Sequence, residues 1–112
     1  MDIAQRQIGG VTVLDLSGRI TQTDSNGRVK EKVTAMVAEG HKKLVLNLSG
    51  VSFMDSSGLG ETVACYTTAK GNGGEVKLVG AAARIKDLLV MTKLHMVFDS
   101  HEKLDDAIAA FK

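Results

Sequence analysis

KLVLNLSGVSFMDSSGLG, residues 43–60, decides the architecture, because its pattern changes character part-way along. Leu44-Val45-Leu46-Asn47-Leu48 is a nearly unbroken apolar run, which fits a strand covered on both faces. From Gly58 the spacing lengthens, and Leu59, Val63 and Tyr66 share one side of a helix over residues 58–70. A strand, a short serine-bearing loop and a helix make the repeating unit of parallel α/β sheets, whose sites lie beyond the carboxyl ends of strands. Ser56 and Ser57 stand at such an end, between Asp55 and Gly58. One N-cap, worth about 1 kcal/mol, explains one polar residue, and Gly58 explains a tight turn. The second hydroxyl and the acid are left without a structural task.

The same two rhythms organise the rest of the chain. Residues 3–8 and 11–17 flank Gly9-Gly10, a hairpin-turn dipeptide. Within the second strand Leu14 and Leu16 fall on one face, Val13 and Asp15 on the other. Val29, Val33, Met36 and Val37 mark a helix over residues 25–39, with Thr23 or Asp24 as its cap and Gly40 as its stop. GNGG (71–74) closes the helix after the serines, residues 76–79 form a strand, and residues 82–91 form a helix burying Ile85, Leu88 and Leu89. Met96-Val97-Phe98 predicts a short last strand, and Leu104, Ala107, Ile108 and Phe111 a last helix capped by Ser100. The order ββαβαβαβα predicts one α/β domain over residues 1–112, with a mixed, mostly parallel sheet, an N-terminal antiparallel hairpin and four helices.

Composition narrows the function classes. A chain of 112 residues forms one domain with one core and needs no covalent staple. A net charge of +1 leaves no broad basic footprint for nucleic acid or an anionic membrane. With three Phe, one Tyr and no Trp, base-stacking platforms are not expected. The lone Cys65 lies among Val63, Ala64 and Tyr66, where packing is its expected role. The sequence shows no basic-then-apolar leader and no apolar run near the ~20 residues that span a bilayer, so a cytoplasmic protein is expected.

Several chemical readings fail on spacing. A serine-hydrolase elbow requires G-x-S-x-G, whereas Met54 and Asp55 stand two residues before Ser56 and Ser57. Of the bases, His41 and His95 are expected at the opposite end of the sheet, and His101 at the solvated start of the last helix. Ser100-x-x-Lys103 lacks the companion motifs of a penicillin-binding site, and GNGG lacks phosphate-loop spacing and precedes a strand. No His, Cys, Asp and Glu residues have metal-ligand spacing, and no cofactor is expected. The five Met residues lie mostly in apolar stretches and read as core.

From end to end the chain resembles the STAS domain, and within it the bacterial anti-sigma factor antagonists. The resemblance is carried by LSGRI (16–20), by residues 43–60 with their D-S-S-G-L string, by GGEVKLVG (73–80), by the DLL of the third helix and by DDAIAAF (105–111). It implies that the unphosphorylated protein binds an anti-sigma factor that is also a serine kinase, and so releases a sigma factor. It also implies phosphorylation on the first serine after the aspartate, Ser56, and resetting by a PP2C-type phosphatase. Asp55, Ser57 and Gly58 belong to the contact loop by the same resemblance, with Arg19 and Asp24 extending the docking face. Ser57 is then expected as cap or loop support, and the protein as a monomer or weak dimer without direct contact to nucleic acid. An alternative keeps the fold as a scaffold subunit of a lipid-transport or stress-sensing complex; a small-ligand sensor is a further class, without a pocket motif to support it. Two positions depart from the family pattern: Asn47, where many members have aspartate, and Lys93, where many have glycine.

Overall fold

A computed structural model describes residues 1–111. The elements run β1 (Asp2–Ile8), β2 (Val11–Ile20), α1 (Arg28–Ala38), β3 (Lys43–Met54), α2 (Ser56–Gly71), β4 (Glu75–Val79), α3 (Ala83–Met91), a 3-10 turn (Leu94–Met96), β5 (Asp99–His101) and α4 (Leu104–Ala109). The sheet has the order β1-β2-β3-β4-β5. The β1–β2 hairpin is antiparallel and every later pair is parallel, as the alternation of strands and helices predicts. Gly9 and Gly10, at φ 53° and 86°, supply the two positive φ values that a tight hairpin turn demands.

The two faces of the sheet carry separate cores. Leu14, Leu44, Leu46 and Leu78 point to the larger one and pack with Val29, Val33 and Met36 of α1, Leu59 and Cys65 of α2, and Ile85 and Leu89 of α3. Val11, Val13, Val45 and Val79 point the other way, where Ala107 of α4 completes a smaller cluster. The alternation of leucine and valine along β3 is thus the period-two signature of a strand buried on both sides. Cys65 is buried, and burial above all, with Glu61 nearby, pushes its thiol up to about 12. It fills core space and is not a nucleophile.

Four expectations need correction. First, β2 and β3 run on to Ile20 and Met54, so SGVSFM is strand and not loop. Two register shifts, between Asp15 and Ser17 and between Gly18 and Arg19, let the pairing continue, and Ile20, Val51 and Met54 gain burial that a loop would deny them. Second, α1 begins at Arg28, without a cap from Thr23 or Asp24. Third, Met96-Val97-Phe98 is not a strand. Lys93 turns the chain at φ 62°, and Phe98 plugs the main core edge-to-face on Tyr66 with ring centroids 5.4 Å apart. The strand falls on Asp99–His101, where Asp99 lies opposite Lys77 and accepts from its ammonium at 2.6 Å. Fourth, Ser100 is therefore a strand residue, and α4 starts after Lys103 without a side-chain cap. Asp105 and Asp106 in its first turn complement the helix dipole instead.

Candidate functional site

The site is built at the junction of β3 and α2. Asp55 is extended (φ −95°, ψ −176°), and its Oδ1 accepts the Gly58 N–H at 2.7 Å. That makes Asp55 the N-cap of α2 and corrects the assignment of capping to Ser57. Ser56 and Ser57 occupy the first two helical positions, and both are exposed. The second oxygen of Asp55 faces the Gln22 N–H at 3.4 Å, tying the junction to the loop that follows β2.

Gly58 serves from beneath. It is buried, and a Cβ there would sit 1.8 Å from the carbonyl oxygen of Ile20, well inside contact distance. Only glycine lets the start of α2 rest on the end of β2. Gly58 is therefore no exposed contact residue; it sets the height at which the two serines stand.

Arg19 and Asp24 come to the same end of the molecule, because Arg19 pairs with Phe53 and Ile20 with Met54 in the β2–β3 register. Their side chains form an exposed ion pair at 3.6 Å, with the Arg19 guanidinium 5.4 Å from the centre of the Phe53 ring. The edge of the site is thus a charged pair laid on an aromatic face, a contact of the cation–π kind.

Sequence reasoning missed Glu61. From the second turn of α2 its carboxylate accepts the N–H groups of Val29 and Lys30 at 2.7 and 3.2 Å, and the Ser25 hydroxyl lies 2.8 Å from its other oxygen. It is the cap that α1 lacks locally. The only trace in the sequence is a lone acid in the otherwise uncharged run GLGETVACY.

The three histidines stand outside the helix that carries the two hydroxyls. His41 is held by Thr12 at 2.8 Å just before β3, at the far end from Ser56, as expected. His95 lies in the 3-10 turn, and His101 is in β5, half-buried, 3.0 Å from Asp99. Among the described residues no group of three His, Cys, Asp or Glu side chains could hold a metal ion, and no helix is long and apolar enough to cross a membrane.

The two departures from the family pattern have local explanations. Asn47 donates to Asp15 at 2.7 Å and accepts the Ser49 N–H and hydroxyl at 3.1 and 2.7 Å. Asp15 is clamped from the other side by Arg6 at 2.6 and 3.1 Å, and that hydrogen bonding holds its carboxyl below the usual range, against the effect of burial. A neutral donor suits position 47 because the acid is already present at 15. Lys93 takes the left-handed conformation that glycine adopts without cost.

Comparison with known proteins agrees with this fold. The STAS domain model matches residues 2–107. The anti-sigma-B factor antagonist of Bacillus subtilis (strain 168) is 31% identical over 80 residues, covering 71% of this chain and 72% of that protein. That of Staphylococcus aureus (strain NCTC 8325 / PS 47) is 35% identical over 66 residues, and the match spans 59% of this chain and 61% of the relative's length. Among solved structures, an anti-sigma factor antagonist from Mycobacterium paratuberculosis superposes with a TM-score of 0.85 at 28% identity, covering 97% of this chain and 92% of that one. The Bacillus cell fate determinant SpoIIAA, solved in its phosphorylated form, shares the fold with a TM-score of 0.77 at 17% identity, over 99% and 100% of the two chains. The protein belongs to the STAS-domain family.

Proposed function

We propose that this protein is an anti-sigma factor antagonist that works by partner switching. In its unphosphorylated form it binds an anti-sigma factor with serine-kinase activity and frees the sigma factor. The kinase moves the γ-phosphoryl group of ATP to the Ser56 hydroxyl, which gives up its proton as ADP leaves, and the complex then separates. A PP2C-type phosphatase hydrolyses the phosphoester and restores binding. The exchange is placed in the cytoplasm, between protein partners, with this protein acting as substrate and ligand and not as an enzyme.

The observation that carries this reading is the exposed Ser56 hydroxyl at the first position of α2, beside a carboxylate already committed as cap. A phosphate there adds about −1.5 to −2 charges. The helix N-terminus favours that charge by about 0.3–1 kcal/mol, while Asp55 opposes it at a similar scale. The two effects nearly cancel, so the fold is retained. At a desolvated interface without a matching cation the same charge costs several kcal/mol, and each 1.4 kcal/mol is tenfold in affinity. Release follows from the interface and not from unfolding.

The test incubates the protein with candidate anti-sigma kinases and ATP and maps the phosphate by mass spectrometry. Modification of Ser56, absent in Ser56→Ala, is expected. A protein that no kinase modifies at Ser56, and whose Ser56→Asp variant binds its partners like the wild type, refutes the switch.

A further inference from the structure

Helix α1 starts without a side-chain cap of its own. Gly27 precedes it at φ 80° and carries no side chain, and Asn26 also holds a positive φ, of 44°. Asparagine takes that conformation more readily than most residues, and the Asn26 N–H is held within the loop by the Thr21 carbonyl at 3.1 Å. What holds the start of α1 from outside the loop is Glu61. Its Oε2 takes the N–H groups of Val29 and Lys30, and its Oε1 lies 2.8 Å from the hydroxyl of Ser25, which is fully buried and also 2.8 Å from the Thr21 carbonyl. At the other end of this segment, the Gln22 N–H faces Asp55 at 3.4 Å. Two carboxylates of the Ser56 helix thus grip residues 22–30 at both ends. Between the two grips lies an open groove of about 280 Å³, lined in part by Gln22, Asn26, Lys30, Ser57 and Glu61.

We propose that Glu61 is a positioning residue that locks the loop of residues 21–27 and the start of α1 onto α2, so that Asp24 and Ser56 are presented as one rigid face. Glu61 does this without touching the partner. That the face docks a partner rests on the function proposed above; the lock is a property of the free protein.

Glutamine is the informative conservative variant. Its carbonyl can accept from Val29 and Lys30, and its amide can donate to the Ser25 oxygen, whose single proton then goes to the Thr21 carbonyl alone. Alanine can do neither. The experiment measures amide hydrogen exchange and ¹⁵N relaxation on free wild type, Glu61→Ala and Glu61→Gln, then titrates each with the anti-sigma kinase that phosphorylates Ser56. In Glu61→Ala the Val29 and Lys30 amides should exchange roughly tenfold faster relative to the Leu46 and Leu78 amides of the sheet, with faster motion across residues 21–27. Kinase affinity should fall by about tenfold, and Glu61→Gln should recover both to within about threefold. Should Glu61→Ala fail to fold, Ser25→Ala, which removes the hydroxyl from both Glu61 and the Thr21 carbonyl, is expected to loosen residues 21–27, and Glu61→Gln then serves as the variant that alters the Glu61 arm alone.

Unchanged exchange and relaxation in Glu61→Ala overturns the lock. A loosened loop with wild-type kinase affinity overturns the positioning role and leaves the proposed switch standing. If the wild type binds no anti-sigma kinase, the proposed function falls, and exchange and relaxation alone decide the lock.

Discussion

Ser56 and Ser57 are adjacent, equally small and both exposed, yet their surroundings divide the work differently from what the sequence implies. Asp55 takes the capping role, which frees both hydroxyls, and the resemblance to the family singles out Ser56. Gly58 is the residue on which the geometry depends. A methyl group at 1.8 Å from the Ile20 carbonyl forces α2 away from β2, at an overpacking cost of about 1–3 kcal/mol that outweighs alanine's helix propensity. Gly58→Ala should therefore lower the urea midpoint; an unchanged midpoint would show that the helix start is free to move. Lys93 offers the opposite test. Relief of its left-handed backbone, worth about 1–2 kcal/mol, exceeds the extra unfolded-state freedom of glycine, so Lys93→Gly should gain about 0.5–1 kcal/mol. A thermal melt raised by about 2–5 °C is the expected result.

Among the elements, those with two-sided or strongly periodic patterns were legible. The β1–β2 hairpin, the core of β3 and all four helices stand where their apolar spacing puts them. What the sequence hid was decided by contacts distant along the chain. The extension of β3 through Gly50 depends on two register shifts against β2, and Ser49-Gly50 by itself reads as a turn. The last strand is fixed by Lys77 meeting Asp99 and by Phe98 finding Tyr66. The cap of α1 comes from another helix, and no local N-cap signature can encode that. The pairing of β2 with β3 yields its own test at Asn47. An aspartate there loses the donor to Asp15 and sets two carboxylates side by side, so Asn47→Asp should destabilise by about 1–2 kcal/mol at neutral pH. Chemical denaturation across pH checks this, because the deficit should shrink as acid protonates the pair. A deficit independent of pH would point to packing instead.

At the scale of the whole molecule, three helices cover one face of the sheet, α4 covers the other, and the acid–base balance lies mostly on the α4 side. The hydrogen bond from Lys77 above all holds the Asp99 carboxyl below its ordinary value, as Arg6 does for Asp15. Burial presses the Lys77 ammonium down, but Asp99 and Glu75 outweigh it and leave its pKa raised. The signs follow from linkage. The depressed carboxylates contribute stability above their unfolded values near pH 4, and that contribution fades as pH falls through their lower folded values. The raised Lys77 contributes below its ordinary value, and that share fades only in strong alkali. Part of this is screened, since these carboxylates are partly exposed. Denaturation midpoints should thus hold between about pH 5 and 8 and drop below about pH 4, with Asp99→Asn flattening the acid limb. An acid limb unchanged in that variant would remove Asp99 from the account.

The fold is therefore readable from strand–helix order, and FMDSSGLG marks the junction at which the proposed site stands, whereas the division of labour among its residues needs three dimensions. The central claim is that charge at Ser56 changes affinity and leaves the fold intact. Isothermal titration of the anti-sigma kinase with unphosphorylated and Ser56-phosphorylated protein, paired with their melting curves, tests it most directly. The account predicts a loss of affinity of about a hundredfold or more, near 2.8 kcal/mol, with melting temperatures that coincide. Equal affinities, or a phosphorylated protein that has lost its cooperative melt, would contradict it.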